Sequence, residues 1–149
     1  MKKLAFAGLA VGMMVAAPAQ ALEHEVVIEH AAGPIAADYA GTVKVETRQV
    51  GTAGVAGRPS TLRCNWSASL RVDRTAVVGD AMQSRRSMTR DGVASGSTPG
   101  WCSTNNASID RLVDARSDTF RTAMLAMVDQ DRTAILAEAD SMRSGNREG

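Results

Sequence analysis

Aromatic side chains are scarce in this chain: two Trp, one Tyr and two Phe among 149 residues. That scarcity argues against an outer-membrane barrel, whose strands carry aromatic girdles. It also argues against a reader of single-stranded nucleic acid, which stacks bases on aromatic platforms. Long apolar runs are missing as well. The longest, Leu4 to Val15, is about a dozen residues, whereas a spanning helix needs roughly 20. Lysine is nearly absent after position 3, where only Lys44 stands beside fourteen arginines. That skew reads as coding bias rather than as a nucleic-acid signature. Cysteine is limited to Cys64 and Cys102, and they do not form the Cys-x-x-Cys of a redox-active pair.

What the N-terminus does hold is a leader pattern. Lys2 and Lys3 precede the apolar run, Pro18 breaks it, and Ala19-Gln20-Ala21 is a small-x-small cleavage triplet. The expectation is a bacterial Sec-type signal peptide over residues 1–21, cleaved after Ala21, and a periplasmic or secreted protein. Retention as a membrane anchor is the weaker alternative. No cysteine follows the triplet, which disfavours a lipoprotein. Removing 21 of the 149 residues leaves 128, enough for one domain with a real core, expected over 22–144 with a frayed tail at 145–149. Loss of both leader lysines takes the formal charge from +1 to −1. In an exported chain, two cysteines allow one intramolecular bridge, Cys64–Cys102.

The pattern after the leader is mixed. His24 to His30 reads as a short strand and Tyr39 to Val50 as a second, with an irregular link over Ala31 to Asp38. The third is the clearest. Leu62, Cys64, Trp66, Ala68, Leu70 and Val72 alternate with polar residues, the period of a strand with one dry and one wet face. Asp73-Arg74 breaks that phase and suggests a bulge. Thr75 to Val78 and Ala81 to Arg90 extend the set, and Asp91-Gly92 is a hairpin-turn dipeptide. Val93 to Trp101 reads as a flexible loop, with both indoles near the bridge. From about Asn105 the spacing turns helical, with Asn105, Asn106 or Ser108 as caps. A kink near Ser117-Asp118 is as readable as one long helix. Asp131 falls where the stripe calls for an apolar side chain, suggesting exposure there. The expected fold class is therefore α+β: an antiparallel sheet of four to five strands with a long, kinked or unkinked C-terminal helix packed on one face, and one disulfide.

Chemical signatures are thin. On an extended strand His24 and His30 would stand roughly 20 Å apart, too far to share a metal with ligands at ~2 Å. Gly51, Gly54 and Gly57 recur every third residue, but the lysine of a phosphate-binding loop is missing and Pro59 intervenes. No Gly-x-Ser-x-Gly elbow exists. Neither a metal nor a cofactor motif nor a catalytic set is expected. Asn65-Trp66-Ser67 and Asn106-Ala107-Ser108 match a glycosylation pattern that a bacterial protein would leave unused. What remains is a set of cations on strand faces: Lys44, Arg48, Arg63 and Arg71, with Arg85, Arg86 and Arg90 on a neighbouring strand, of which Arg86 is taken with the first four as the binding set. Antiparallel pairing would gather them into one patch facing an anionic envelope polymer or an acidic envelope protein. The functional expectation is a non-enzymatic binding module of the cell envelope, acting through its sheet face or glycine loop. A small periplasmic hydrolase and a structural or stress-related envelope protein are the alternatives, and an enzyme would bring His24 or His30 to a carboxylate and a hydroxyl in a concave pocket.

Overall fold

In the computed structural model, which describes residues 22–79, 82–145 and 147, the alternation around Trp66 becomes the spine of an antiparallel sheet. The leader expected at 1–21 lies outside those residues. The strands are β1 (Leu22–Ile28), β2 (Ile35–Val50), β3 (Arg63–Val78) and β4 (Met82–Pro99), followed by α1 (Cys102–Asp114) and α2 (Ser117–Gly145). Each strand pairs antiparallel with its successor, in the order β1-β2-β3-β4. Both helices lie on the face that carries Cys64, Trp66, Ala68, Leu70 and Val72. Ile109, Phe120, Met124, Met127 and Ile135 close the same core from above. Burying a side chain such as Phe120 or Ile135 contributes about 1.5–3 kcal/mol. The other face of the sheet is uncovered.

Five strand readings are corrected. β2 starts at Ile35, four residues before Tyr39. The chain reverses within a tight turn, where Gly33 adopts φ 115 and its N–H donates to the His30 carbonyl at 3.0 Å. Extension resumes directly after Pro34, and fully buried Ile35 and Ala37 continue the Tyr39 face. The run of alanines hid that period. β1 ends at Ile28, so His30 belongs to the turn.

β3 has no bulge at Asp73-Arg74. Asp73 pairs with Ala40 and Ser87, and Arg74 with Tyr39 and Arg86, all in register. The alternation simply continues, with Arg74 on the dry face. The irregularity sits in β4. Ala68 pairs with Ala94 and Leu70 with Arg90, so residues 91–93 stand opposite Ser69 alone. Asp91-Gly92 is therefore a bulge within a long strand, not a hairpin. Gly92 takes φ 61 there, which a glycine adopts at no steric cost. The segment expected as a loop from Val93 is strand as far as Pro99.

The helical region is two helices, separated at Ala115-Arg116. α1 starts at Cys102, three residues before Asn105, and Trp101 at its N-cap makes no side-chain cap bond. Gln49 sets the start instead. Its Oε1 accepts from Cys102 N–H at 2.7 Å, while its Nε2 donates to the carbonyls of Arg63 and Gly100. Asp118 lies in the first turn of α2, where the helix dipole favours a negative charge. Of the tail, Gly145 closes α2 and Arg147 N–H donates to the Ser144 carbonyl. The other tail residues lie outside the described set.

Cys64 and Cys102 are bonded, S–S 2.09 Å, across 38 residues of sequence. The bridge ties the first turn of α1 to the second residue of β3. Chain-entropy reasoning gives a loop of that length about 4 kcal/mol. Trp66 is buried, but Trp101 is 52% exposed, so the two indoles do not share an environment.

Candidate functional site

A polar interior row, a polar exterior face and a cleft between β1 and α2 each bear on function. The interior row follows from register. His24, Tyr39, Arg74 and Arg86 are consecutive cross-strand partners on the inner face. Three of the four reach one carboxylate on α2. Asp131 Oδ2 accepts from the Tyr39 hydroxyl at 3.1 Å and from Arg74 Nη1 at 3.0 Å. Its Oδ1 accepts from Arg86 Nη1 at 3.1 Å. Two helical turns on, Glu138 Oε2 accepts from Arg74 Nη2 at 2.8 Å and from the Ser84 hydroxyl at 2.6 Å.

Arg74 is 1% and Asp131 2% exposed. Asp131 is thus not an exposed break in the helical stripe, as its position suggested. It is the partner of the break in β3. Burial, reinforced by the Asp131 charge, pushes the Tyr39 phenol well above its ordinary range. Burial also pushes Glu138 up, but the Ser84 hydrogen bond and the Arg74 charge outweigh it and hold Glu138 below the usual carboxylate range. Among the described residues, the buried side-chain polar atoms around Asp131 all have a partner except Arg74 Nε. The arrangement locks α2 to the sheet and leaves neither Asp131 nor Glu138 without donors.

That row also removes Arg86 from the expected patch. Arg86 pairs with Arg74 on the inner face and binds Asp131, whereas Arg63 and Arg71 stand on the outer face. Arg85 and Arg86 are consecutive, so one strand sets them on opposite faces; Arg86 is the one that turns inward, in phase with Met88 and Arg90 opposite Val72 and Leu70. Arg85 takes its place, paired in register with Thr75 on the outer face.

On the outer face Lys44, Arg48, Arg63 and Arg71 do stand together, all exposed. Their surroundings differ. Lys44 is paired with Glu46 at 2.9 Å, and that bond holds Lys44 above and Glu46 below their ordinary values. Arg71 is paired with Asp73 at 3.2 Å and donates to the Ser87 hydroxyl. Both pairs are solvent-exposed and individually weak. Arg48 and Arg63, with Arg58 in the glycine loop, have no carboxylate within 4.0 Å among the described residues.

The sequence explains why. No Asp or Glu occurs between Glu46 and Asp73, or between Asp91 and Asp110. Those two stretches meet at one end of the sheet, where β2 ends, β3 begins and β4 ends. Arg63 is cross-strand to Val50 and Pro99, and Arg48 to Asn65, which faces Ser97. Arg63 Nε donates to the Ser97 hydroxyl at 2.9 Å, which extends the side chain along the face. The acids gather at the opposite end, where Glu25 faces Asp38. The outer surface is therefore polarised along the strands.

A cleft of about 360 Å³ lies between β1 and α2, lined by His24, Val26, Ile28, Tyr39, Asp129 and Arg132 among others. It holds a histidine, a carboxylate and a hydroxyl. They are not joined: the Tyr39 proton goes to Asp131, and no hydrogen bond links His24 to Asp129 among the described residues. His30 meets Asp140 through Nε2 at 3.0 Å, while its Nδ1 accepts from Ala32 N–H at 3.1 Å. An accepting Nδ1 leaves the neutral ring's proton on Nε2, donated to Asp140, so both nitrogens are engaged. Among the described residues no group of three His, Cys, Asp or Glu side chains is placed to hold a metal ion. No helix among them is long and apolar enough to cross a membrane.

Comparison with protein-family models, with curated proteins and with solved structures finds no match to this chain.

Proposed function

We propose that this protein is an exported, non-enzymatic binding module of the bacterial cell envelope that holds an anionic partner on the basic end of its uncovered sheet face. The observation that carries the proposal is the acid-free end of the sheet. Arg48, Arg58 and Arg63 stand there without carboxylate partners, and serine and asparagine side chains lie between them. Unpaired arginines keep their full capacity for bidentate contact with carboxylate or phosphate. A polarised surface also steers an anion to one end before contact. Export is supported by Lys2-Lys3, the apolar run and the Ala19-Gln20-Ala21 triplet. A disulfide is of the kind that persists outside the cytosol.

The test is capture from envelope extract with the immobilised protein. Wild type retains anionic polymer or an acidic protein that moderate salt releases. Arg48→Ser with Arg63→Ser loses it, while Arg121→Ser with Arg143→Ser, an equal charge change on α2, keeps it. Equal capture by all three contradicts the proposal. A second reading, a small enzyme, has one observation in its favour: the β1–α2 cleft that brings His24, Tyr39 and Asp129 to one lining. A turnover lost in His24→Ala would favour that reading.

A further inference from the structure

Trp101 is an anomaly in a chain so poor in aromatics. Of its two indoles, Trp66 is 3% exposed in the core and Trp101 is 52% exposed. Trp is among the side chains most thoroughly buried on average. This one is also held firmly in view. Gly100, at φ 98, donates its N–H to the Leu62 carbonyl at 2.9 Å and accepts from Gln49 Nε2 at 3.1 Å. Trp101's own carbonyl accepts from Asn105 Nδ2 at 2.8 Å and from the Thr104 hydroxyl at 3.0 Å. Cys102, the next residue, is fixed by Gln49 and by the disulfide. Every peptide unit around the indole is therefore anchored, which presents an exposed ring at little entropic cost on binding.

Trp101 stands at the basic end of the sheet. Arg63 is cross-strand to Pro99, a separation of about 5 Å. Trp101 follows Pro99 by two residues, at most about 7 Å further. The backbones of Arg63 and Trp101 thus lie within roughly 12 Å, a span that one extended polymer chain bridges. Trp and Arg together are the side chains that dominate binding hot spots.

We infer that the ligand of the basic end is a polyanionic saccharide chain, with Trp101 the platform for one sugar ring while Arg48, Arg58 and Arg63 take its charges. This rests on the anion-binding reading above. The apolar C–H face of a sugar ring suits the negative face of an indole, and the flanking carboxylates or phosphates suit guanidinium groups. A polyanion without rings would use only the arginines.

The test uses the purified protein with its disulfide intact and four polymers. Alginate carries carboxylates on sugar rings and dextran phosphate carries phosphates on them. Polyphosphate has charge without rings, and dextran has rings without charge. Acrylamide quenching of tryptophan fluorescence reports Trp101, because Trp66 is shielded. The expected result is that alginate or dextran phosphate protects Trp101 and binds about tenfold more weakly to Trp101→Ala. Trp101→Phe restores most of that loss. Polyphosphate binds wild type and Trp101→Ala alike, and dextran binds neither. Alginate and dextran phosphate separate the two sources of charge. If both saccharides bind through Arg48 and Arg63 but are indifferent to Trp101→Ala, the platform is refuted while the anion-binding reading stands. If no polyanion binds wild type, both are refuted.

Discussion

Replacing Asp131 with Asn tests the interior most severely. The change keeps the side chain's shape and removes its charge. Arg74, with a side chain 0% exposed, then loses its partner at 3.0 Å and keeps only Glu138, itself 35% exposed, and Ser84. Breaking a buried ion pair by removing one partner costs about 3–5 kcal/mol. The remaining bond to Glu138 places this case at the low end, about 3 kcal/mol. That is a large share of a typical ~5–15 kcal/mol. With a urea slope of about 2 kcal/mol/M, the midpoint falls by about 1.5 M. The assay is urea unfolding at neutral pH followed by circular dichroism and by Trp66 fluorescence, which must coincide. The companion variant replaces the three buried members of the network: Tyr39→Phe, Arg74→Met and Asp131→Leu together. Apolar replacements of buried ion pairs are often neutral or stabilising, so this variant is expected within about 1 kcal/mol of wild type. An Asp131→Asn protein as stable as wild type would refute the claim that this carboxylate neutralises a buried arginine.

Further outcomes follow from the same structure. Reducing the disulfide, or replacing Cys64 and Cys102 with Ser, lowers stability by about 4 kcal/mol in urea; a loss below about 1 kcal/mol contradicts a closed 38-residue loop. Tyr39 is the sole tyrosine, so near-ultraviolet absorbance titrates it alone. Its folded phenol is raised, so its contribution to stability is intact below pH ~10, the unfolded value, and is lost as pH rises beyond it. Ionisation should coincide with unfolding, and a free titration near pH 10 in folded protein argues against the Asp131 bond. Glu138 is held low, so its contribution is intact above about pH 4.3 and is lost as pH falls through its folded value; Glu138→Gln should flatten that acid limb. Gly96→Ala places a Cβ 2.8 Å from the Trp66 ring and costs about 1–3 kcal/mol by overpacking, whereas Gly145→Ala meets nothing within 4 Å and is neutral.

How much of this was legible in the sequence depends on whether a residue's partner is local. The alternation from Cys64 to Val72 needs only period two, and it mapped directly onto the sheet. The cysteine pairing needed only the count. The two places where the pattern broke, Arg74 and Asp131, were each read alone, as a bulge and as an exposed helical position. They lie 57 residues apart and satisfy one another, and no local rule joins them. Asp91-Gly92 was misread because one dipeptide serves both a tight turn and a bulge, each needing positive φ. Arg86 was misplaced for a different reason: it was grouped with its neighbour Arg85, although period two puts consecutive residues on opposite faces. The helix start at Cys102 depends on Gln49, more than fifty residues upstream, and so lay beyond any capping pattern. Of the cationic set, Lys44, Arg48, Arg63 and Arg71 were readable because regular strands fix their faces. Which of them lack partners was readable only from the acid-free stretches, a signal present in the sequence once register is known.

The central claim is that an anionic partner occupies the basic end of the uncovered face. The most direct measurement is an amide-resolved NMR titration of the protein with a polyanion such as alginate. The account predicts salt-sensitive shifts concentrated at Arg48, in the loop around Arg58, at Arg63 and Asn65, and at Ser97 to Trp101. Shifts confined to the β1–α2 cleft around His24 and Arg132, or no shifts at low salt, would contradict it.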